Sequence, residues 1–159
     1  MIQSRIWHCL TLATLFAAVT ITLPVKASGP IDAEAVLAEA AEECASIDDG
    51  RFERDEGAVL SVDLGSGSGN DVIIDFSKLH CTSAASFWCG SGGCSLVVLT
   101  SGKRYDFLAR AFKTVEWFDR EILLLSLHGS SCGGAGAEPC FAAYFWHNGE
   151  LRQASVNDR

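Results

Sequence analysis

The sequence predicts an α+β fold: one N-terminal amphipathic helix packed on an antiparallel sheet of short strands, stabilised by disulfides. Three observations predict it. A single segment, residues 33–47, has helical periodicity, and the chain beyond it reads as short runs of apolar residues. Two-residue turn signals such as Asn148-Gly149 separate several of those runs. Six cysteines remain once a hydrophobic leader is set aside.

The leader comes first. Arg5 lies in a short n-region, an apolar stretch runs from Cys9 to Leu23, and Val25-Lys26-Ala27 offers small residues to a signal peptidase. A signal peptide over 1–27 is therefore expected, followed by a single disulfide-stabilised α+β domain over 28–159. An uncleaved anchor competes less well, because the run from Cys9 to Val25 is short for a span and carries four threonines. Export means an oxidising compartment, so periplasmic or secreted residence and disulfide formation are expected together.

The helix is expected from about Ala33 to Ile47. Asp32 is placed to cap it, with Ile31 and Val36 as a hydrophobic staple. Leu37, Ala40, Cys44 and Ile47 line one face, and Gly50 is expected in the left-handed conformation after its end. Strands are expected at 58–64, 72–76, 96–100, 105–109, 114–118, 122–127, 141–147 and 150–153. Ser101-Gly102-Lys103, Asp119-Arg120 and Asn148-Gly149 are the expected hairpin turns.

Cys44, Cys81, Cys89, Cys94, Cys132 and Cys140 are the expected disulfide residues. Sequence alone does not choose among their pairings, but spacing suggests an order. Cys89 and Cys94 bracket a glycine-rich loop, and Cys132 and Cys140 bracket another. That leaves Cys44 with Cys81, tying the helix to the sheet. A zinc set drawn from His80, Cys81, Cys89 and Cys94 is the alternative, though its spacing is not that of a familiar zinc module.

The chain carries 12 basic and 20 acidic residues, a net charge of −8. Losing Arg5 and Lys26 with the leader leaves 10 against 20, or −10. Half of the acid lies between Asp32 and Glu56, on and just after the helix. A nucleic-acid partner is excluded on this balance, since phosphate binding needs clustered Lys and Arg. Anionic membrane surfaces are disfavoured for the same reason, so no membrane contact is expected after signal cleavage.

The segment Asp63-Leu64-Gly65-Ser66-Gly67-Ser68-Gly69-Asn70-Asp71, running into Val72-Ile73-Ile74-Asp75, resembles an FG-GAP-type calcium loop. That family's loop has the form D-x-[DN]-x-[DN]-G-x-x-D. The resemblance implies Asp63 and Asp71 as metal ligands, while Gly65 and Gly67 stand where the family has its middle ligands. Calcium wants six to eight oxygens, so the loop is read as degenerate. No cofactor is expected, calcium at this loop being the exception held open. No dinucleotide fingerprint, phosphate loop or haem attachment pair is present.

Gly129-Ser130-Ser131-Cys132-Gly133 fits G-x-S-x-G, with Ser131 as nucleophile and His128 nearby. That elbow works between a buried strand and a helix, and here a glycine-rich loop comes next. No catalytic residue is therefore assigned, and a small serine hydrolase stays a second alternative. Phe87 and Trp88, beside the clasped loop containing Gly90 and Ser91, are the expected partner-binding tip.

With its leader, its F-W-C-G-S-G-G-C segment at 87–94 and its H-G-S-S-C-G-G segment at 128–134, the chain resembles small uncharacterised exported proteins of Gram-negative bacteria. That resemblance implies periplasmic residence and no known activity. The expectation is a non-catalytic interaction module, an inhibitor-like protein being one form, with an unknown protein or envelope component as partner. A small calcium-dependent structural domain is the first alternative.

Overall fold

The computed structural model describes residues 32–69 and 71–154. The leader and Ile31 of the expected staple lie outside the described residues.

Helix α1 spans Ala33–Ala45, and Asp32 caps it by accepting a hydrogen bond from the Ala35 N–H at 2.8 Å. Val36, Leu37, Ala40 and Cys44 are its buried face. The chain leaves α1 through Asp48 and Asp49, which take the left-handed conformation expected of Gly50. Gly50 answers a different need. A Cβ there would collide with Ser83 Oγ and stand 2.7 Å from both the Cys44 carbonyl and Cys81 Sγ. The residue must be small because the chain passes directly against the disulfide.

The strands are β1 (Phe52–Arg54), β2 (Val59–Val62), β3 (Asp71–Asp75), β4 (Leu79–Cys81), β5 (Cys89–Gly90), β6 (Gly93–Thr100), β7 (Lys103–Ala109), β8 (Ala111–Trp117), β9 (Arg120–Leu127), β10 (Cys140–His147) and β11 (Glu150–Gln153). All pairings are antiparallel. The expected α+β, disulfide-stabilised class stands, but the sheet is divided. The first sheet runs β2-β3-β6, with β7 along the other side of β6 and the short β5 continuing the β3 row. The second runs β11-β10-β9-β8, and β1 and β4 form a separate ribbon.

Three layers result: helix, first sheet, second sheet. Ile74, Val97 and Leu99 pack with Val36, Leu37 and Ala40 beneath the helix. Their neighbours Ile73, Leu96 and Val98 point the other way, against Leu123, Leu125 and Trp146 of the second sheet. Strands β3 and β6 are thus buried on both faces, which explains the unbroken apolar runs Val72-Ile73-Ile74 and Leu96-Val97-Val98-Leu99. Each fully buried Leu or Ile contributes roughly 1.5–3 kcal/mol of transfer free energy.

The ribbon and its edges fasten the helix. Cys44–Cys81 joins α1 to β4. Glu39 pairs with Arg104 of β7, and Glu43 accepts from the Trp88 indole N–H at 3.2 Å. Part of the helix's acid is therefore bound to the first sheet, not merely solvated.

Two hairpins use the turn residues they need. Ser101 and Gly102, then Asn148 and Gly149, all have positive φ, as a two-residue primed turn requires. The third turn is Phe118-Asp119, one residue earlier than expected, because Trp117 pairs with Arg120.

Candidate functional site

The loop before β3 closes on the Asp71 carboxylate. Asp71 is 1% exposed, and its Oδ1 accepts from Ser66 Oγ at 2.6 Å, Thr100 Oγ1 at 2.7 Å and Ser68 Oγ at 2.9 Å. Its Oδ2 accepts from the Leu64 N–H at 3.0 Å. Burial alone would raise this carboxyl's pKa, but the four donors outweigh it and hold the group below the usual range. Asp63 turns elsewhere, accepting from the Gly65 N–H at 2.9 Å. The two expected calcium ligands are thus engaged by hydroxyl and amide donors of the loop and, at Asp71, by Thr100 of β6. Those donors would have to turn away before a cation took their place. Among the described residues there is no cluster of three or more His, Cys, Asp or Glu suited to a metal.

The cysteines pair as Cys44–Cys81, Cys89–Cys94 and Cys132–Cys140. This takes all three thiols of the zinc alternative, whose His80 hydrogen-bonds Asp55 at 2.9 Å.

Past β9, His128 begins a 3-10 turn over Gly129–Cys132. Its Nδ1 accepts from the Ser130 N–H at 3.3 Å and lies 2.7 Å from Ser130 Oγ. Its serine neighbour is therefore Ser130, not the Ser131 of the hydrolase reading. Ser131 instead donates its backbone N–H to the His128 carbonyl at 2.9 Å. The other side of the ring is closed, since a Cβ on Gly136 would stand 2.6 Å from His128 Nε2. The imidazole works here as a cap inside a tight clasped loop.

The expected partner-binding tip separates into two parts. Trp88 is half-buried and meets Phe52, Phe76 and Phe87 edge-on, with centroids 5.1–6.0 Å apart. It packs against the core beneath the helix. Gly90 and Ser91 are exposed, and the Ser91 carbonyl accepts from Arg110 at 3.3 Å. Phe87 is 41% exposed, and Leu108, 56% exposed, lies against Gly92 of the same loop.

The larger apolar surface lies on the outer side of the second sheet. Strand alternation turns Phe112, Leu123, Leu125, Ala142 and Trp146 inward, leaving the residues between them facing out. The register sets Val115 beside Ile122, Lys113 beside Leu124, and Ala143 beside Leu124 on its other flank. Phe141 is 71% exposed and Trp117 58%, and Phe118 at the turn is 88% exposed. A shallow groove of about 230 Å³ opens here between Ala111, Lys113, Leu124, Ser126 and Phe141. The charges farther out on this sheet are self-paired, Arg120 with Asp119 at the β8–β9 turn and Arg152 with Glu150 on β11. Lys113 makes no ion pair among the described residues.

Sequence reasoning missed this face. The usable signal was Trp117-Phe118-Asp119, an aromatic pair at a turn where Asn or Gly is favoured. Phe118 holds φ at +58°. No family model matches the chain, and neither a curated protein nor a solved structure does.

Proposed function

We propose that this chain is an exported, periplasmic or secreted, non-catalytic interaction module that docks another macromolecule on the outer face of its second sheet. An inhibitor-like protein is one form of that role. The observation that carries the reading is Phe141, 71% exposed beside Leu124 and Ala143 and next in sequence to the clasped Cys132–Cys140 loop. Exposed large apolar side chains gathered on one face mark interaction sites, whereas scattered ones need no explanation. A rigid loop at the edge of such a face lowers the ordering cost of binding. Three disulfides suit an oxidising compartment.

The test is affinity capture from an envelope extract with the wild-type protein and Phe141→Asp, both checked by thermal melt. One identified partner held by the wild type, and lost with the variant at an unchanged melting point, supports the reading. An identical captured set from both proteins overturns it.

A further inference from the structure

We propose that two copies of this chain pair edge to edge through β8, about a two-fold axis at Val115, joining two four-stranded sheets into one. β8 ends its sheet and pairs only with β9 among the described strands. An edge strand offers unpaired N–H and C=O groups to any matching strand unless something blunts it. The other free edges are blunted. β1, β4 and β5 are two or three residues long, β2 and β11 four, and β7 carries Lys103, Arg104 and Asp106, with Arg104 tied to Glu39 and Asp106. β8 is seven residues long, has no proline, and is charged only at Lys113 and Glu116.

The strand also fits itself. Antiparallel pairing centred on Val115 keeps every outward residue opposite an outward residue. Val115 then faces its own copy, and each Trp117 faces Lys113 of the other chain. Lys113 lines the apolar groove with Leu124 and Phe141, so the exposed indole of one copy arrives at the groove of the other. There it meets an ammonium that has no ion-pair partner among the described residues of its own chain, in reach of a cation–π contact. On the opposite side of the strand, Thr114 is set to donate its hydroxyl to Glu116. The two lysines fall four residues apart, roughly 13 Å, and do not repel strongly. The two Glu116 carboxylates stand diagonally, about 7–8 Å apart, on a side open to water where screening is effective. Because one strand supplies both knob and groove, the symmetric pairing makes each contact twice, which an unrelated strand would not. The pairing is carried by the β8 edge and its register and not by what docks at Phe141, so it stands or falls separately from the role proposed above, although it brings Trp117 to the groove that Phe141 lines.

The experiment is sedimentation equilibrium on the oxidised product of the full-length chain, from roughly 1 to 100 μM, the range in which a modest edge interface is populated. A doubled mass is expected, falling to the monomer mass with Val115→Lys, which sets two ammonium groups against each other at the axis. Trp117→Ala is expected to weaken association at least ~10-fold, and it decides the matter if Val115→Lys does not fold by circular dichroism. A monomeric wild type at the top of the range overturns the proposal. So does a dimer that neither substitution weakens.

Discussion

The two sheets present outer faces of similar chemistry to very different surroundings. On the first, Ile74, Val97 and Leu99 lie under α1, bolted there by Cys44–Cys81 and by the Glu39–Arg104 pair. On the second, Val115, Ile122, Leu124, Phe141 and Phe145 face out with no described element over them. Apolar residues on a strand thus do not say which face will be covered. The cover is decided by where the helix lands, and the described residues hold one α-helix for two outer faces.

The strongest way to break that contrast is to free the helix. Replacing Cys44 and Cys81 together by Ser removes the longest closed loop, 37 residues in sequence separation. The chain-entropy model puts the loss at about 4 kcal/mol, and a melt in non-reducing buffer should show the largest drop of the variants here. A melting point unchanged from wild type would mean that packing alone holds the helix. Next comes Trp88→Ala. With three aromatic neighbours and a bond to Glu43, its loss should cost about 3 kcal/mol. A cost under about 0.5 kcal/mol would return Trp88 to the surface role expected from sequence.

Acid sharpens the comparison at the seam between the layers, where Asp71 ties the 63–71 loop to Thr100 at the end of β6. Its folded pKa is lowered, so its contribution is fully present above the unfolded value of about 3.9 and is lost as pH falls through the lower folded value. Asp71→Asn should cost about 2 kcal/mol at neutral pH and flatten the acid limb of stability against pH. An acid limb identical to wild type would assign that sensitivity to other carboxylates. The smallest effect should be Phe141→Asp. On a bare face it should move stability by no more than about 0.5 kcal/mol in denaturant titration, and a larger loss would mean the face is covered after all.

Much of the first layer was legible. Asp32, the Leu37-Ala40-Cys44 spacing and the Asn148-Gly149 turn act through neighbours in sequence, and each does what its local pattern implies. The short β1, β4 and β5 were missed, because strands of two or three residues have too little alternation to read. The site was less legible still. Phe87-Trp88 and Trp117-Phe118 are similar letters beside turns, yet Trp88 of the first pair packs on a core while both rings of the second stay exposed.

What the sequence determined by itself was therefore the local and the chemical: a capped helix, strand-forming runs, primed turns, cysteines spaced to close their own loops and an acidic net charge. What only the tertiary structure decided was direction. It divided one expected sheet into two, turned the Asp71 carboxylate into its own loop, turned His128 to Ser130, and left the second sheet's outer face open. Those outcomes depend on which distant surfaces meet, and pairing between residues far apart in the chain leaves no periodic trace in either partner's own segment.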